Sequence, residues 1–383
     1  MGKLHSMLAA AIESKATKHS QRNIIIFKDN KSYHQCVRFL KNNNIIPLKQ
    51  VKTARMVCCH VRNPKQLHDL SKHPKIHSIE TDIPVKAHGS IKAGKRSLAR
   101  SFKIPWGIQR IKAPQVWSIS RGQGIRIGII DTGIGPSTDL NVFGGINTIN
   151  PKQSFRDNNG HGTFVAGVTA ARGNRNMITG SAPLAKLYSV KALDASGNGF
   201  VSDIIEGIEW CIQHRIQIIN MSLGLNQHSA SLRRVVRKAY RKGIVIVASA
   251  GNSGKNSGGI DEPAKYPEVI AVAASNKRNQ IADFSSRGKG IDLTAPGADI
   301  VSLRIGKGTT TGSGTSFSAP HVTGSSALLL RLNRRLSPNY INKLMTSTAV
   351  KLKGYSRLAQ GAGLLQVNRA ALKLISASKK RKR

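Results

Sequence analysis

Cysteine is rare in this chain: only Cys36, Cys58, Cys59 and Cys211 occur, and Cys211 is alone among residues 102–375. That segment can therefore hold no internal disulfide. The adjacent Cys58 and Cys59 lack metal-ligand spacing and would point to opposite faces of a strand. Buried free thiols are the expectation for all four, in keeping with a reducing compartment. No apolar run approaches membrane-spanning length, which excludes a transmembrane helix. The N-terminal apolar patch is interrupted by Glu13 and Lys15, so the apolar core of a secretory signal is missing as well. Cytoplasmic residence is the favoured expectation, and extracellular location by non-classical export is the alternative.

Acidic residues are the other shortage. There are 18 Asp and Glu against 60 Lys and Arg, a formal net charge of +42 that is extreme for a soluble enzyme. Such a field attracts polyanions, from nucleic acid to anionic membranes and acidic protein substrates. A basic solvated surface with no dedicated partner accounts for the same composition, as it does for the basic run at 379–383.

What is present is enough for a large enzyme. The chain has 383 residues, 39% of them hydrophobic, with 36 glycines, and this suffices for one large α/β domain and a smaller one. Residues 1–20 read as a polar, helical lead. Residues 21–85 alternate strand and helix patterns: an apolar strand from Asn23, an amphipathic helix at 33–40, strands near 45–51 and at 55–61, a helix at 64–70 and a strand at 76–82. That succession predicts a small α+β unit of ferredoxin-like order. Residues 86–101, basic and small, read as a linker, and 376–383 as a basic tail.

Between them, 102–375 alternates strand-like runs at 125–130, 186–190, 216–221, 244–250 and 269–273 with helical segments such as 201–214. Such alternation predicts a mostly parallel sheet with helices on both faces, whose site lies at the carboxyl ends of the strands.

Four short segments carry chemistry. Gly124-Ile-Arg-Ile-Gly-Ile-Ile130 runs into Asp131-Thr-Gly, placing a carboxylate at a strand end. Asn159-Gly-His161-Gly-Thr puts an imidazole at the start of an apolar helix. Ala248-Ser-Ala-Gly-Asn252 ends another strand on an amide, and Gly314-Thr-Ser316-Phe puts a hydroxyl at the start of a second apolar helix, where the helix dipole suits a developing negative charge. Each has an ordinary reading as a turn residue, an interior histidine or a helix cap. None of those readings explains all four in the chain order Asp, His, Ser.

With these motifs, residues 104–370 closely resemble the subtilisin-like serine proteases, and 21–85 is similar to their inhibitory propeptide. The resemblance implies a serine endopeptidase in which His161 accepts the Ser316 proton, Asp131 orients and stabilises the imidazolium, and Asn252 with the Ser316 backbone N–H binds the oxyanion. It implies substrate-binding edges at Ser222, Leu223 and Gly224 and at Ser249, Ala250 and Gly251. The small residues there suggest a roomy, uncharged pocket and broad, apolar-leaning specificity for protein or peptide substrates. The propeptide would act as an intramolecular inhibitor until a cut within 86–101 releases it. The family's calcium site would fall on Asp139, Asn174, Asn176 and Ile178, although Phe102 stands where the family often has a glutamine ligand, and Arg172 and Arg175 add positive charge. A weaker cation site is implied around Ala264, Tyr266 and Val269; no organic cofactor is implied. The reading from a different class is a polyanion-binding protein on a protease scaffold, motivated by the charge.

Overall fold

The computed structural model describes residues 2–13, 17–18, 20–62, 64–91, 104–174, 177–256 and 258–380. The N-terminal part comprises α1 (Gly2–Ala11), β1 (Ile12–Glu13), β2 (Gln21–Phe27), α2 (Asn30–Asn42), β3 (Lys49–Val51), β4 (Met56–Val61), α3 (Pro64–Ser71) and β5 (Ile76–Thr81). Its antiparallel sheet runs β5-β2-β4, with β3 and β1 both on the far edge of β4. Elements β2 to β5 with α2 and α3 thus have the expected ferredoxin-like order.

Residues 2–13 of the polar lead expected at 1–20 are instead part of this unit. Leu4, Leu8, Ala11 and Ile12 are buried with Phe27 and Leu70, and β1 extends the sheet. The apolar spacing Leu4, Leu8, Ala11 marks one helix face, which Lys3, His5 and Ser6 obscure in the sequence.

Alternation along β2 and β4 divides the sheet into two faces. Ile25, Phe27, Val57 and Cys59 pack beneath α1, α2 and α3, whereas Ile24, Ile26, Met56 and Cys58 face the larger part of the molecule. All four cysteines are buried free thiols, and burial pushes the Cys36 thiol up to about 12.

The chain continues through β6 (Pro84–Ala87), β7 (Ser90–Ile91), α4 (Trp106–Arg110), β8 (Arg126–Asp131), β9 (Val142–Asn147), α5 (His161–Ala170), β10 (Lys186–Lys191), β11 (Asn198–Phe200) and α6 (Val201–Gln213). Then follow β12 (Ile218–Met221), β13 (Leu223–Gly224), α7 (Ala230–Arg241), β14 (Val245–Ser249), β15 (Ile270–Ser275), β16 (Leu293–Pro296), β17 (Ile300–Leu303), β18 (Thr309–Ser313) and α8 (Thr315–Leu332). The last elements are α9 (Pro338–Thr346), α10 (Arg357–Gln360) and α11 (Val367–Lys380). Helix α11 runs through the expected boundary at 375. Among the described residues no helix is long and apolar enough to cross a membrane.

Seven strands form one wholly parallel sheet, β16-β15-β14-β12-β8-β10-β9. Successive strands leave β8 in opposite directions, so the crevice between the ends of β8 and β12 is a topological switch point. Val245 and Val247 of β14 join the core beneath α5 and α8, while Ile246 and Ala248 join the core beneath α6 and α7. Helix α8 is buried from Thr315 through Leu330, and hydroxyls on it are satisfied within the core, that of Ser318 by the Ala295 carbonyl and that of Ser326 by the Val322 carbonyl.

The two parts share an interface rich in charge. At the end of β5, Glu80 accepts hydrogen bonds from the Ser229 hydroxyl at 2.6 Å and the Ala230 N–H at 3.1 Å, at the start of α7. Asp82 accepts the Ser202 N–H and hydroxyl, both at 2.8 Å, at the start of α6, and pairs with Arg22 at 2.9 Å. Both carboxylates satisfy orphan donors at the positive end of a helix dipole. Lys49, buried, reaches Asp203 at 2.6 Å and Glu206 at 2.8 Å on α6. Asp82→Ala, made in a Ser316→Ala background, is expected to lower stability by about 2 kcal/mol, read from the urea midpoint; a midpoint unmoved from that of Ser316→Ala alone would show that these caps contribute nothing.

Candidate active site

Asp131 closes β8 and is fully buried; its Oδ1 accepts the Thr132 N–H at 2.7 Å and contacts His161 Nδ1 at 2.8 Å. His161 is the first residue of α5, and its position depends on a carboxylate that sequence reasoning missed. Asp157 Oδ1 accepts the Thr132 hydroxyl and the N–H groups of Asn159 and Gly160, each at 2.9 Å. Its Oδ2 accepts the Thr163 N–H at 2.9 Å and the Thr163 hydroxyl. One buried side chain thus ties the strand bearing Asp131 to the first turn of the helix bearing His161. The signal was local: an Asp followed by Asn-Asn-Gly, with a Thr six residues on, is the composition of a turn that caps a helix.

Ser316 is the second residue of α8. Its Oγ donates to the Ser222 carbonyl at 3.0 Å, and its own carbonyl accepts the Ser222 hydroxyl at 2.8 Å. The Asn252 Oδ1 accepts both the N–H and the hydroxyl of Thr315, at 2.9 Å each. Fixing the oxygen in this way leaves the amide N–H2 to face a different acceptor. Thr315 is a second positioning residue absent from the sequence-based set. Ser316 and His161 do not bond one another in this intact chain, because the imidazole Nε2 instead meets the carbonyl oxygen of His88 at 2.9 Å.

His88 belongs to the segment expected to be a linker, and it lies between two short strands, β6 at 84–87 and β7 at 90–91. β6 is the middle member of an antiparallel sheet, β11-β6-β13, with Gly199 opposite Val85 and Leu223 opposite Ala87. The His88 N–H donates to the Ser222 carbonyl at 3.1 Å, and beyond Gly89 the strand β7 pairs with β18. Residues 92–103, including the rest of the expected linker, lie outside the described residues. The predicted edges meet this strand: Ser222, Leu223 and Gly224 along its backbone, and Ser249 through its Oγ, 2.8 Å from His88 Nδ1. The Ala250 carbonyl accepts the Asp261 N–H at 3.0 Å, and a Cβ on Gly251 would run into the Asp261 carboxylate. The pocket expected to be uncharged therefore has a carboxylate in its wall, and Asp261 Oδ2 lies 2.8 Å from His88 Nε2.

The sequence model of the Subtilase family matches residues 122–364. The chain belongs to the subtilase family. It is 42% identical over 272 residues to Subtilisin DY of Bacillus licheniformis, covering 70% of this chain and 98% of that one. It is 34% identical over 374 residues to the Alkaline protease of Shouchella clausii, 94% of each. With the Minor extracellular protease Epr of Bacillus subtilis (strain 168) it shares 36% identity over 304 residues, 78% of this chain, and spans 47% of that protein's length. Subtilases are serine endopeptidases of the subtilisin type, and the seven-stranded parallel sheet with flanking helices is their α/β fold.

Family members commonly bind calcium, and Asp139 of this subtilase suits a cation. It is buried, its Oδ2 has no hydrogen-bond partner, and burial holds its carboxyl above the usual range. Its Oδ1 accepts the Asn174 N–H at 2.7 Å, and the Asn174 side-chain nitrogen donates to the Thr138 carbonyl at 3.1 Å. Ile178 is buried nearby in sequence, while Asn176, Arg175 and Phe102 lie outside the described residues.

Electrostatics at the paired imidazole run in opposing directions. Burial pushes His161 toward neutrality, and the Asp131 carboxylate, with smaller help from the His88 carbonyl and Asp157, outweighs it, so the net shift is upward from 6.5. In Ser316→Ala protein the His161 ring should titrate above 6.5 by NMR, and Asp131→Asn should bring it below. A ring titrating at the same pH in both proteins would mean that Asp131 does not govern its charge.

Proposed function

We propose that this subtilase hydrolyses peptide bonds through Asp131, His161 and Ser316, and that it is made as a zymogen whose first cut is in its own chain. One observation carries the reading: residues 84–91 run through the crevice as a bound peptide would, with the His88 carbonyl against His161 and Gly89 against the start of α8. Gly89 has φ +111°, and a Cβ there would come within 3.4 Å of the Ser313 carbonyl, Phe317 and Gly314, so the backbone approaches the Ser316 helix as closely as only glycine can.

Chemistry requires a modest rearrangement. The His88 carbonyl oxygen must swing from His161 toward the Asn252 amide, which frees Nε2 to take the Ser316 proton. Ser316 Oγ then attacks the His88 carbonyl carbon, and the Asn252 Nδ2 and the Ser316 N–H receive the oxyanion. His161 passes the proton to the Gly89 nitrogen as the C–N bond breaks, and water completes hydrolysis by the same route. Asp131 keeps Nδ1 as donor throughout and stabilises the cation. The N-terminal α+β unit is the inhibitor: it presents β6 to the crevice and excludes other peptides.

The wild-type chain should yield a fragment beginning at Gly89 by mass spectrometry, and Ser316→Ala should keep residues 1–91 joined. A new terminus elsewhere, or cleavage persisting in Ser316→Ala, would overturn the assignment. Calcium is proposed at Asp139 and the loop 172–178, where the cation would compensate the buried carboxylate and oxygen atoms of the loop would help to hold it. Adding calcium should raise the melting temperature of the Ser316→Ala protein by several degrees and leave Asp139→Asn in that background unmoved; equal shifts in both would place the ion elsewhere.

A further inference from the structure

Asp261 lies outside the motifs that name the family, yet among the described residues it makes the charged contact to the side chain that enters the crevice. His88 is 9% exposed, and both of its ring nitrogens are engaged, Nδ1 with Ser249 Oγ and Nε2 with Asp261 Oδ2, each at 2.8 Å. The walls are cut to admit this ring. A Cβ on Gly224 would collide with His88 Cε1 and Nε2. At Gly251, where φ is +112°, a Cβ would lie 2.6 Å from Asp261 Oδ2, so the absence of a side chain there lets the carboxylate lean into the pocket. The neighbouring Glu262 does not compete for the ring, because His228, the Ser229 N–H and the Tyr266 hydroxyl occupy its two oxygens.

We infer that Asp261 sets specificity, selecting substrates whose side chain ahead of the cut is histidine or another nitrogen donor, lysine above all, over apolar ones. The inference rests on the proposed peptidase reading and deepens it. Neutral imidazole fulfils both contacts, with Nε2–H donating to the carboxylate and Nδ1 accepting the Ser249 hydroxyl; imidazolium donates to both. A lysine ammonium brings a full positive charge on a longer stem. A leucine or phenylalanine would strip water from the Asp261 carboxylate, which is 22% exposed, and return no hydrogen bond. Discrimination therefore comes from a penalty on the wrong side chain as much as from a gain on the right one. The broad apolar preference expected from the small residues at 249–251 overlooked this carboxylate, which is brought to the pocket by a backbone bond to Ala250.

The test uses the full chain after it has processed itself, with active molecules counted by fluorophosphonate labelling of Ser316. Peptides of the sequence Val-Lys-Ala-X-Gly-Ser are compared with X as His, Lys, Leu or Phe. Per labelled molecule, kcat/KM should favour His and Lys over Leu by about tenfold or more, and Asp261→Asn should shrink that ratio by about tenfold, as expected for loss of a charge-assisted hydrogen bond. Should Asp261→Asn fail to fold, the same question is answered within the chain: His88→Lys should self-process and His88→Leu should lag by about tenfold. A preference for Leu or Phe in labelled wild-type enzyme, a ratio indifferent to Asp261→Asn, or equal processing of the two His88 variants would overturn the inference while leaving the peptidase reading intact. Absence of Ser316 labelling would remove that reading, and this inference with it.

Discussion

The backbone of residues 84–87 is satisfied in the crevice. β6 has no partner in the N-terminal sheet, and its carbonyl and N–H groups are paired on both sides by β11 and β13, the two edges of the crevice. Leaving them unpaired and buried would cost more than the strand's few apolar contacts return. This pairing fixes the register, which sets Val85 into the core beneath α6, His88 into the pocket, and the His88 carbonyl against the imidazole. The helix caps at Glu80 and Asp82 aim the chain into that position from a few residues upstream, so docking of the small unit and filling of the crevice are a single arrangement.

The scarcity of acid takes on a different meaning once the chain is folded. Eight of the 18 acidic residues are buried, namely Asp82, Asp131, Asp139, Asp157, Asp203, Glu209, Glu262 and Glu268. Most of these cap helices, pair with basic groups or hold the turn beside His161, and so leave little negative charge outside. The basic excess is consequently a property of the surface, whereas the interior uses its few carboxylates as organisers. A buried carboxylate must be repaid by donors, and Asp157 is the fullest case, with five hydrogen bonds to its two oxygens.

Much of this was legible in the sequence where the determinant is local. Asp131, Asn252 and Ser316 fall at strand ends or helix starts because apolar periodicity and glycine placement mark those boundaries, and the opposite facing of Cys58 and Cys59 follows from strand geometry alone. Strands β9 and β16 escaped notice. The first carries Gly144 and Gly145 in its middle, and the second is four residues ending in proline, so neither shows a strand pattern. Residues 86–91 were read as linker because their composition is that of a loop, while the strand pairing of 84–87 forms only against edges more than a hundred residues away. Asp261 was invisible for the same reason: nothing within its own segment says that a histidine 173 positions earlier will reach it.

The apolar face shared by Ile24, Ile26, Met56 and Cys58 with α6 and α7, together with the Lys49 ion pairs, does not depend on a continuous chain. Severing the bond after His88 would therefore nick the molecule without opening it. The severed segment would remain as a tightly held competitive product, and the onset of activity would be timed by how slowly that fragment dissociates or is destroyed. On the proposed reading, the few molecules freed first would digest the fragments blocking the rest, so a population would switch on with a lag followed by an autocatalytic rise.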